Sequence, residues 1–271
     1  MSRTIVLCAD DYALHPAVDA AVQQLAEQGR LSATSCMTTA PRWREAARAL
    51  PALRSRLDVG LHFNLTEGHG VQPGTTIGSV IAQAYTRRLP ASRLRDAWRE
   101  QLDAFEDALG MPPDYVDGHQ HVHQLPSVRA AMVDELQRRY GADAGQQLWI
   151  RSTAPAGRLR WQPKAAVIAL LGGYTLTRQL HARHWRMNRG FGGVYGFDAP
   201  TPAAYGAHMA QWLTACADAS LLMCHPANAE VEGDAIGGQR PVEFAYLQSP
   251  AFADALAAQK CSIWQADRTN S

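Results

Sequence analysis

The chain has 271 residues, 46% of them hydrophobic, and a formal net charge of +1 at pH 7. This length and apolar content are typical of one domain with a large core, and they are normal for an α/β barrel. The near-neutral charge gives no reason to expect nucleic acid as a partner. No apolar run approaches the ~18 residues of a membrane span, and acidic residues follow Met1 too early for a signal peptide.

The cysteines do not follow the CxxC spacing of a metal or redox motif. They are Cys8, Cys36, Cys216, Cys224 and Cys261. Because most of them lie within apolar runs and their number is odd, the sequence predicts reduced core residues rather than a disulfide framework. This usage is typical of a cytoplasmic protein.

Short β-rich runs alternate with longer helical patterns along the whole chain. In chain order the predicted strands are "TIVLC", "SATSCMT", "LDVGLHFN", "DYVDGH", "LWIRS", "GGVYGF", "SLLMCHP" and "CSIW". The predicted helices are "AVDAAVQQLAEQG", "RWREAARAL", "LRDAWREQLDAFEDALG", "SVRAAMVDELQRRYG" and "PAAYGAHMAQWLTACA". Gly29 and Gly110 are stop signals, and "GHGVQPGTTIGS" (68–79) is predicted to be a loop.

This alternation indicates a parallel sheet with helices outside it. About eight strands in a chain of this length favour a closed barrel over an open sheet. We therefore expect an α/β fold with one barrel domain over residues 1–271.

One segment has an uneven charge. No acidic residue occurs from 144 to 197. The basic residues in it are Arg151, Arg158, Arg160, Lys164, Arg178, Arg183, Arg186 and Arg189. It also contains the apolar run "AAVIALLGGYTL" (165–176), which is too short to cross a bilayer. One interpretation is a core helix with a solvated basic end; the other is a surface that meets an anionic substrate, an anionic membrane or a second subunit.

Polar residues follow several of the predicted strands. In parallel α/β folds, functional residues gather at the carboxyl ends of strands. Here these positions are occupied by Asp10, Asp11, His62, Asp117, His119, His121, His123, Arg151 and His225.

The adjacent carboxylates of Asp10 and Asp11 repel each other, and no Lys or Arg is near them in sequence. A divalent cation beside Asp11 would offset this repulsion, and carboxylate with imidazole is common ligand chemistry. If "HQHVH" is extended, its three histidines point the same way. They cannot all bind one small ion, so one or two would support a ligand or face the substrate.

Each motif also has a simpler explanation when it is taken alone. The aspartate pair could form a turn or a helix N-cap, and His62 could be a hydrogen-bonded core histidine. "HQHVH" could be an exposed metal-scavenging tract, and His225 could simply close a strand. It is the conjunction of four strand ends, each supplying Asp, His or both, that predicts one common site.

These residues resemble the YdjC-like (ChbG-type) carbohydrate deacetylase family, which includes the chitooligosaccharide deacetylases. The resemblance is carried by "ADDYALHPAVDAAV", "GRLSATSCM", "DVGLHFNLTEG", "YVDGHQHVHQLP" and "LLMCHPA", in the family's order from residue 4 to about 230. It implies a variant (β/α) barrel similar to the NodB-type polysaccharide deacetylases. It also implies that a divalent metal helps to remove an acetyl group from an acetamido sugar.

By this resemblance, Asp11, His62 and His119 are the metal ligands, and Asp10 is the general base. We expect His225, from the far side of the barrel mouth, to be the acid for the leaving amine. Arg151 could hold Asp10 ionised or bind substrate, and Asp117 could fix the tautomer of a ligand histidine. The resemblance implies magnesium, while zinc is the main alternative because imidazole is softer than magnesium prefers.

The chain departs from the family pattern at two places. The glycine that usually follows the aromatic residue after the aspartate pair is Ala13 here, which would be strained in a left-handed turn. Residues 144–197 resemble members associated with hopanoid lipid biosynthesis more than the sugar-active members. This implies a lipid-linked sugar as the substrate in place of a free one.

Three functions from different classes are compatible with these residues. The first is a metal-dependent hydrolase that deacetylates an N-acetylated sugar or glycolipid. The second is a non-heme iron oxygenase on the same Asp/His/His triad; the aspartate pair and the lack of a cosubstrate-binding pattern count against it. The third is a non-catalytic carbohydrate- or lipid-binding barrel with an inert site.

Overall fold

The structure is a computed structural model that describes residues 2–66 and 75–265. Its strands are β1 (Arg3–Tyr12), β2 (Ala33–Cys36), β3 (Asp58–Phe63), β4 (Tyr115–Gly118), β5 (Trp149–Ile150), β6 (Arg186–Met187), β7 (Gly190–Gly192), β8 (Ser220–Cys224) and β9 (Cys261–Ile263). Its α-helices are α1 (Pro16–Glu27), α2 (Trp43–Ala46), α3 (Leu50–Leu53), α4 (Ile77–Tyr85), α5 (Ala91–Leu109), α6 (Val128–Tyr140), α7 (Ala144–Gln147), α8 (Pro163–Ile168), α9 (Tyr174–Ala182), α10 (Pro202–Ala215), α11 (Arg240–Leu247) and α12 (Pro250–Ala258).

The strands form one sheet in the order β6-β5-β4-β3-β2-β1-β8-β7, and β9 pairs with β1. All pairings between the described strands are parallel. The two ends of this order, β6 and β7, are separated in sequence only by Asn188 and Arg189. The sheet must therefore curve until its edges meet, which confirms the predicted barrel variant.

Asn188 holds these edges in place. Its side chain donates to the carbonyl oxygens of Ser152 (2.9 Å) and Gly190 (2.6 Å) and accepts from the Ser152 backbone amide (2.7 Å). In the described ranges no ladder joins β6 to β7, so side-chain bonds complete the barrel there. Strands β2, β3, β4 and β8 are buried at every position, as expected for parallel strands covered by helices.

Two strand predictions need correction, and one strand was missed. "GGVYGF" was predicted as a strand, but the strand is Gly190–Gly192, and the backbone from Val194 to Phe197 leaves the sheet. A two-residue strand, β6, was missed because its flanks are basic and show no alternation. "LWIRS" is a strand only at Trp149–Ile150, so Arg151 follows the strand end directly.

Four helices were missed: α4, α7, α11 and α12. The predicted loop 68–79 is wrong for residues 77–79, which open α4 behind the N-cap Thr76, and its residues 68–74 lie outside the described ranges. The predicted helix "RWREAARAL" is broken into short turns rather than one helix. No helix in residues 2–66 or 75–265 combines the length and apolar content needed to cross a bilayer.

The apolar run 165–176 does not form the core helix that was one of its interpretations. It comprises the end of α8, a π-helical turn over Ala169–Gly173 and the start of α9. Gly172 has a φ of +130°, and a Cβ there would lie 2.3 Å from the carbonyl oxygen of Gln124. The run therefore packs closely through its smallest residues and Leu176, whereas Val167, Leu170 and Tyr174 are exposed.

Two glycines with open surroundings provide a test of these helix ends. Gly110 ends α5 with a φ of +69°, whereas Gly78 lies inside α4, and a Cβ at either position meets no atom within 4 Å. We expect Gly110→Ala to lower the free energy of unfolding by about 1 kcal/mol because alanine is strained at positive φ. Gly78→Ala should raise it by about 0.5–1 kcal/mol because alanine favours the helix. Chemical denaturation of both variants measures these changes in the free energy of unfolding. Two changes of the same sign would contradict the helix ends assigned here.

Candidate functional site

The carboxyl ends of β1, β3, β4 and β8 open into a cleft of about 550 Å³. Its polar lining includes Asp10, Asp11, His62, His119, Gln120, His121, Lys164, His225, Asp234 and Arg240. Its less polar lining includes Pro163, Val167, Ile168, Val194, Tyr195, Phe197, Met223, Ala235 and Ile236. Six of the predicted site residues thus share one cleft, while Asp117, His123 and Arg151 are fully buried behind it.

Asp10 and Asp11 face different partners because the end of β1 is irregular. The pairing register with β2 shifts between Ala9 and Tyr12, and Asp11 has a φ of +69°. The two side chains therefore do not diverge simply by the alternation of a regular extended strand. A left-handed residue at a bulge turns the Asp11 carboxylate away from Asp10.

The three predicted metal ligands converge at this point. Asp11 Oδ1 lies 3.0 Å from His119 Nδ1 and 3.4 Å from His62 Nε2. One ligand atom from each residue lies within 4.8 Å of the other two. Since ligand bonds to divalent ions measure ~2.0–2.6 Å, a single ion fits between these atoms after small adjustments.

His62 is anchored from behind by Asp117. His62 Nδ1 lies 2.6 Å from Asp117 Oδ1, which leaves Nε2 to face Asp11. Burial lowers the pKa of His62, but the Asp117 carboxylate, with Asp11 and Asp10, raises it to about 10. A hydrogen bond of this kind orients a ligand imidazole and increases its basicity.

Asp10 is held by a buried guanidinium. Arg151 Nη1 donates to Asp10 Oδ2 (2.7 Å) and Nη2 to Asp10 Oδ1 (2.6 Å). Burial opposes ionisation of Asp10, but Arg151 overcomes this and holds its pKa well below the usual value. Arg151 is fully buried and does not line the cleft, so of its two predicted roles the geometry favours the support of Asp10 over substrate binding.

A second group of potential ligand atoms is formed by Cys8, Asp10 and Asp117. Arg151 Nη2 lies 3.0 Å from Cys8 Sγ, 2.6 Å from Asp10 Oδ1 and 2.7 Å from Asp117 Oδ2. A guanidinium already supplies the positive charge there. The set of Asp11, His62 and His119 is therefore the one that suits a metal.

The "HQHVH" stretch is not extended, contrary to one of our premises. It forms a 3₁₀ turn in which Gln120 (φ 50°) and His121 (φ 61°) are left-handed. His121 lines the cleft and packs edge-on against Phe191, while His123 Nε2 donates to the Arg151 carbonyl oxygen (3.0 Å). Burial lowers the pKa of His121 to about 3 and that of His123 to about 4, so both rings are neutral. The exposed metal-scavenging tract is ruled out by this burial.

His225 lies beside Asp10 rather than across the barrel mouth, so that part of the prediction is wrong. Strand β8 pairs directly with β1, and His225 Nε2 lies 3.9 Å from Asp10 Oδ2. The ring packs edge-on against Phe197. The backbone amide of His225 donates to Glu243 Oε2 (2.6 Å). The other carboxylate oxygen, Glu243 Oε1, accepts from the hydroxyl of Tyr195 (2.5 Å).

Arg240 and Glu243 were missed, and both come from α11. Arg240 Nη2 donates to Asp11 Oδ2 (2.7 Å), and its Nε contacts Asp234. Burial opposes the ionisation of Asp11, but Arg240, followed by His119, holds its pKa well below the usual value. Each aspartate of the pair therefore has its own guanidinium. Neither arginine is near the pair in sequence, and no motif marks Arg240.

Ala13 adopts the left-handed turn that was only a conditional expectation from the sequence. Its φ is +78°, and its backbone amide donates to Asp19 Oδ1 (2.7 Å). Asp19 is held in turn by Arg42 Nη1 (2.7 Å). A left-handed alanine costs about 1–2 kcal/mol, and this anchored turn maintains the strain next to Asp10 and Asp11.

The curated relatives that match this chain have deacetylase names. A chitooligosaccharide deacetylase from Proteus mirabilis is 27% identical over 146 residues, which cover 51% of this chain and 57% of the relative. Carbohydrate deacetylases from Mus musculus and Geobacillus stearothermophilus are 30% and 31% identical, over 49% and 52% of this chain and 47% and 58% of theirs. The matched region thus spans about half the length of each relative.

Solved structures share the fold at low sequence identity. A proposed cellobiose-phosphate cleavage protein from Enterococcus faecalis superposes with a TM-score of 0.70 at 16% identity, over 97% of both chains. A family 4 acetyl xylan esterase from Clostridium thermocellum, solved with a cobalt ion, has a TM-score of 0.51 at 9% identity, over 97% of this chain and 87% of its own. The fold is therefore that of the family 4 carbohydrate esterases and their deacetylase relatives.

The family itself is shown by a match along nearly the whole chain. A sequence profile described as "YdjC-like protein" matches residues 4–258 of the 271. All predicted site residues lie within this range, and the strands that position them are among those it covers. The chain belongs to the YdjC-like protein family.

Proposed function

We propose that this chain is a metal-dependent hydrolase that removes an acetyl group from an N-acetylated sugar or glycolipid. The observation that carries the proposal is the convergence of Asp11, His62 and His119 beside an Asp10 carboxylate held by Arg151. The deacetylase names of relatives that match half of their length support the same reaction class.

Asp11, His62 and His119 would hold the ion. When bound, a divalent metal supplies a Lewis acid that lowers the pKa of a water and stabilises negative charge on a tetrahedral oxygen. Two imidazoles and one carboxylate suit zinc, whereas the family resemblance favours magnesium. The cobalt ion of the Clostridium thermocellum esterase supports a divalent metal in this fold.

Asp10 would accept the proton of the attacking water. Arg151 keeps it ionised and fixes both of its oxygens, so the carboxylate faces the cleft in one orientation. His225 would then give a proton to the leaving amine, because it lines the same cleft within 3.9 Å of Asp10. Each such proton transfer contributes roughly 10²–10⁴ in rate.

The remaining predicted residues would support these groups. Asp117 bridges the two halves of the site, since it contacts His62 through Oδ1 and Arg151 through Oδ2 (2.7 Å). His123 anchors the backbone of Arg151, and His121 faces the substrate side of the cleft. One network therefore joins the base to a metal ligand.

The substrate would carry an apolar group next to its acetamido sugar. The α8 side of the cleft is formed by Pro163, Lys164, Val167 and Ile168, which offer apolar surface with one positive charge. Such a wall suits a lipid-linked or anionic acetamido sugar better than a free neutral chitooligosaccharide. The basic segment 144–197 would meet a partner as well, either an anionic membrane or a second copy of the chain. A cytoplasmic location is supported by the five cysteines, all free and buried.

The proposal is tested by acetate release together with metal analysis of the purified protein. We expect stoichiometric divalent metal and faster acetate release from a lipid-linked acetamido sugar than from free diacetylchitobiose. Equal rates on both would remove the substrate preference. Binding without acetate release from any substrate in the panel would favour the non-catalytic barrel. Iron with oxygen consumption would favour the oxygenase.

A further inference from the structure

The segment from residue 161 to residue 174, which includes α8 and the start of α9, carries large apolar side chains that are exposed. Among the described residues, six large hydrophobic side chains are exposed, and four of them lie between 161 and 174. These four define the exposed strip: Trp161 (74% exposed), Val167 (56%), Leu170 (73%) and Tyr174 (45%). Single exposed hydrophobic residues are normal, but several large ones in one short segment mark an interaction surface.

The packing beneath the strip explains why these side chains point outward. Ala165, Ala169, Gly172 and Gly173 are buried, so the smallest side chains of the run face the protein. Gln124 Nε2 donates to the Ile168 carbonyl oxygen (2.8 Å) and holds the turn against the "HQHVH" stretch. This arrangement reverses the usual amphipathic pattern, because small residues are buried here while the bulky Val167, Leu170 and Tyr174 are exposed.

Basic residues flank the strip in sequence. Arg158, Arg160, Lys164 and Arg178 are exposed beside it, and no acidic residue occurs from 144 to 197. The Arg160 guanidinium lies 5.1 Å from the ring centroid of Trp161. Arg151 does not contribute to this surface, because it is buried with Asp10 and Asp117. An apolar stripe with a basic border is typical of segments that lie in a bilayer interface.

We infer that the exposed strip docks on the surface of an anionic phospholipid bilayer. This inference rests on the proposed function, which left two possible partners, and it selects the membrane instead of a second copy of the chain. Charge complementarity decides the choice: a symmetric dimer through the strip would place the same basic residues of both copies against each other. Anionic headgroups would instead pair with them while the apolar side chains enter the interface. Val167 and Lys164 also line the cleft, so docking would bring the cleft mouth to the lipid surface.

Co-sedimentation with vesicles tests this inference without any substrate or metal, so its outcome is independent of the proposed hydrolysis. Wild type should bind vesicles of equal parts phosphatidylcholine and phosphatidylglycerol, and should bind phosphatidylcholine alone much more weakly. Salt should weaken the binding because it screens charges beyond ~8–10 Å. Equal binding to both vesicles, or no binding to either, would overturn the inference.

Paired variants locate the surface. Arg160→Gln with Arg178→Gln should weaken binding to anionic vesicles about 25-fold, about fivefold for each charge removed. Arg44→Gln with Arg48→Gln changes the net charge equally at exposed positions outside the segment 144–197 and should leave binding unchanged. Trp161→Ser with Leu170→Ser should weaken binding, whereas Tyr85→Ser with Met111→Ser, also exposed, should not. Equal losses in strip and control variants would contradict the inference.

The same proteins test whether the exposed strip is covered by a second copy of the chain. Sedimentation velocity without vesicles should show a monomer for wild type and for the Trp161→Ser, Leu170→Ser variant. A wild-type dimer that this variant dissociates would show that the strip is covered by another copy, and would overturn membrane docking. Because all substituted side chains are exposed, thermal unfolding midpoints should match wild type.

Discussion

Asp10→Asn should retain the metal and lose turnover by a factor of about 10²–10⁴. Asparagine keeps the size of the side chain but has no carboxylate to accept a proton. Asp10 contacts Arg151 through both oxygens and is absent from the set of ligand atoms around Asp11, so the metal should be unaffected. Rates of acetate release and metal content per folded chain, measured on the same preparation, separate the two effects.

Asp11→Asn is the matched control because it makes the same chemical change one residue along. It should lose metal as well as activity, since Asp11 Oδ1 faces both His62 and His119. Equal metal loss in the two variants would contradict the assignment of Asp10 as the base.

Folding must be checked because Asp10→Asn leaves Arg151 with fewer acceptors in a buried position. Asp117 Oδ2 remains 2.7 Å from Arg151 Nη2, so the guanidinium keeps a carboxylate partner. Arg151→Lys provides a second variant that keeps the positive charge but loses the two parallel hydrogen bonds to Asp10. We expect it to lower turnover while the metal content stays at the wild-type level.

The sequence predicted which strand ends meet, because parallel strands place their carboxyl ends at one edge. Asp11, His62 and His119 are 51 residues or more apart along the chain, yet each follows or ends an apolar run that reads as a buried strand. The fold class followed from the same alternation. This reasoning needs only the direction of each strand and not its length, so it held even where β5 proved to be two residues long.

Local backbone geometry was beyond the same reasoning. The left-handed residues Asp11, Gln120 and His121 have no glycine to mark them, and only the family resemblance pointed to Ala13. Arg240 lies 229 residues from Asp11 and opens a helix without any motif. Such contacts depend on how loops close over the barrel, which periodicity does not encode.

The exposure of large side chains in the run 165–176 was not predicted, for a related reason. Its composition is that of a core helix, but Gly172 and Gly173 permit an approach to Gln124 so close that only small residues fit inward. The kink at the π-helical turn then leaves Leu170 outside. An apolar sequence therefore indicated burial where tight backbone packing produced exposure.

His62→Ala should reduce metal affinity by more than about 100-fold and abolish acetate release together with it. Among residues 2–66 and 75–265, His62 is one of three whose donor atoms converge at this point, and its Nε2 lies 3.4 Å from Asp11 Oδ1. Loss of an outer partner of a ligand typically costs 10–100-fold, so loss of the ligand itself should exceed that range. Asp117→Asn, which alters only the group behind His62, should fall within it.

Metal titration of both variants after chelator treatment measures the two losses of metal affinity. Wild type treated in the same way should regain activity when the ion is returned. His181→Ala is the matched control, because it removes an exposed imidazole from the outer surface of α9 and should leave affinity unchanged. His62→Ala with wild-type affinity would exclude this site as the metal centre. If Asp117→Asn matched His62→Ala in full, the buried network behind the ligands would determine metal binding as much as the ligands do, since Asp117 touches His62 and Arg151 at once.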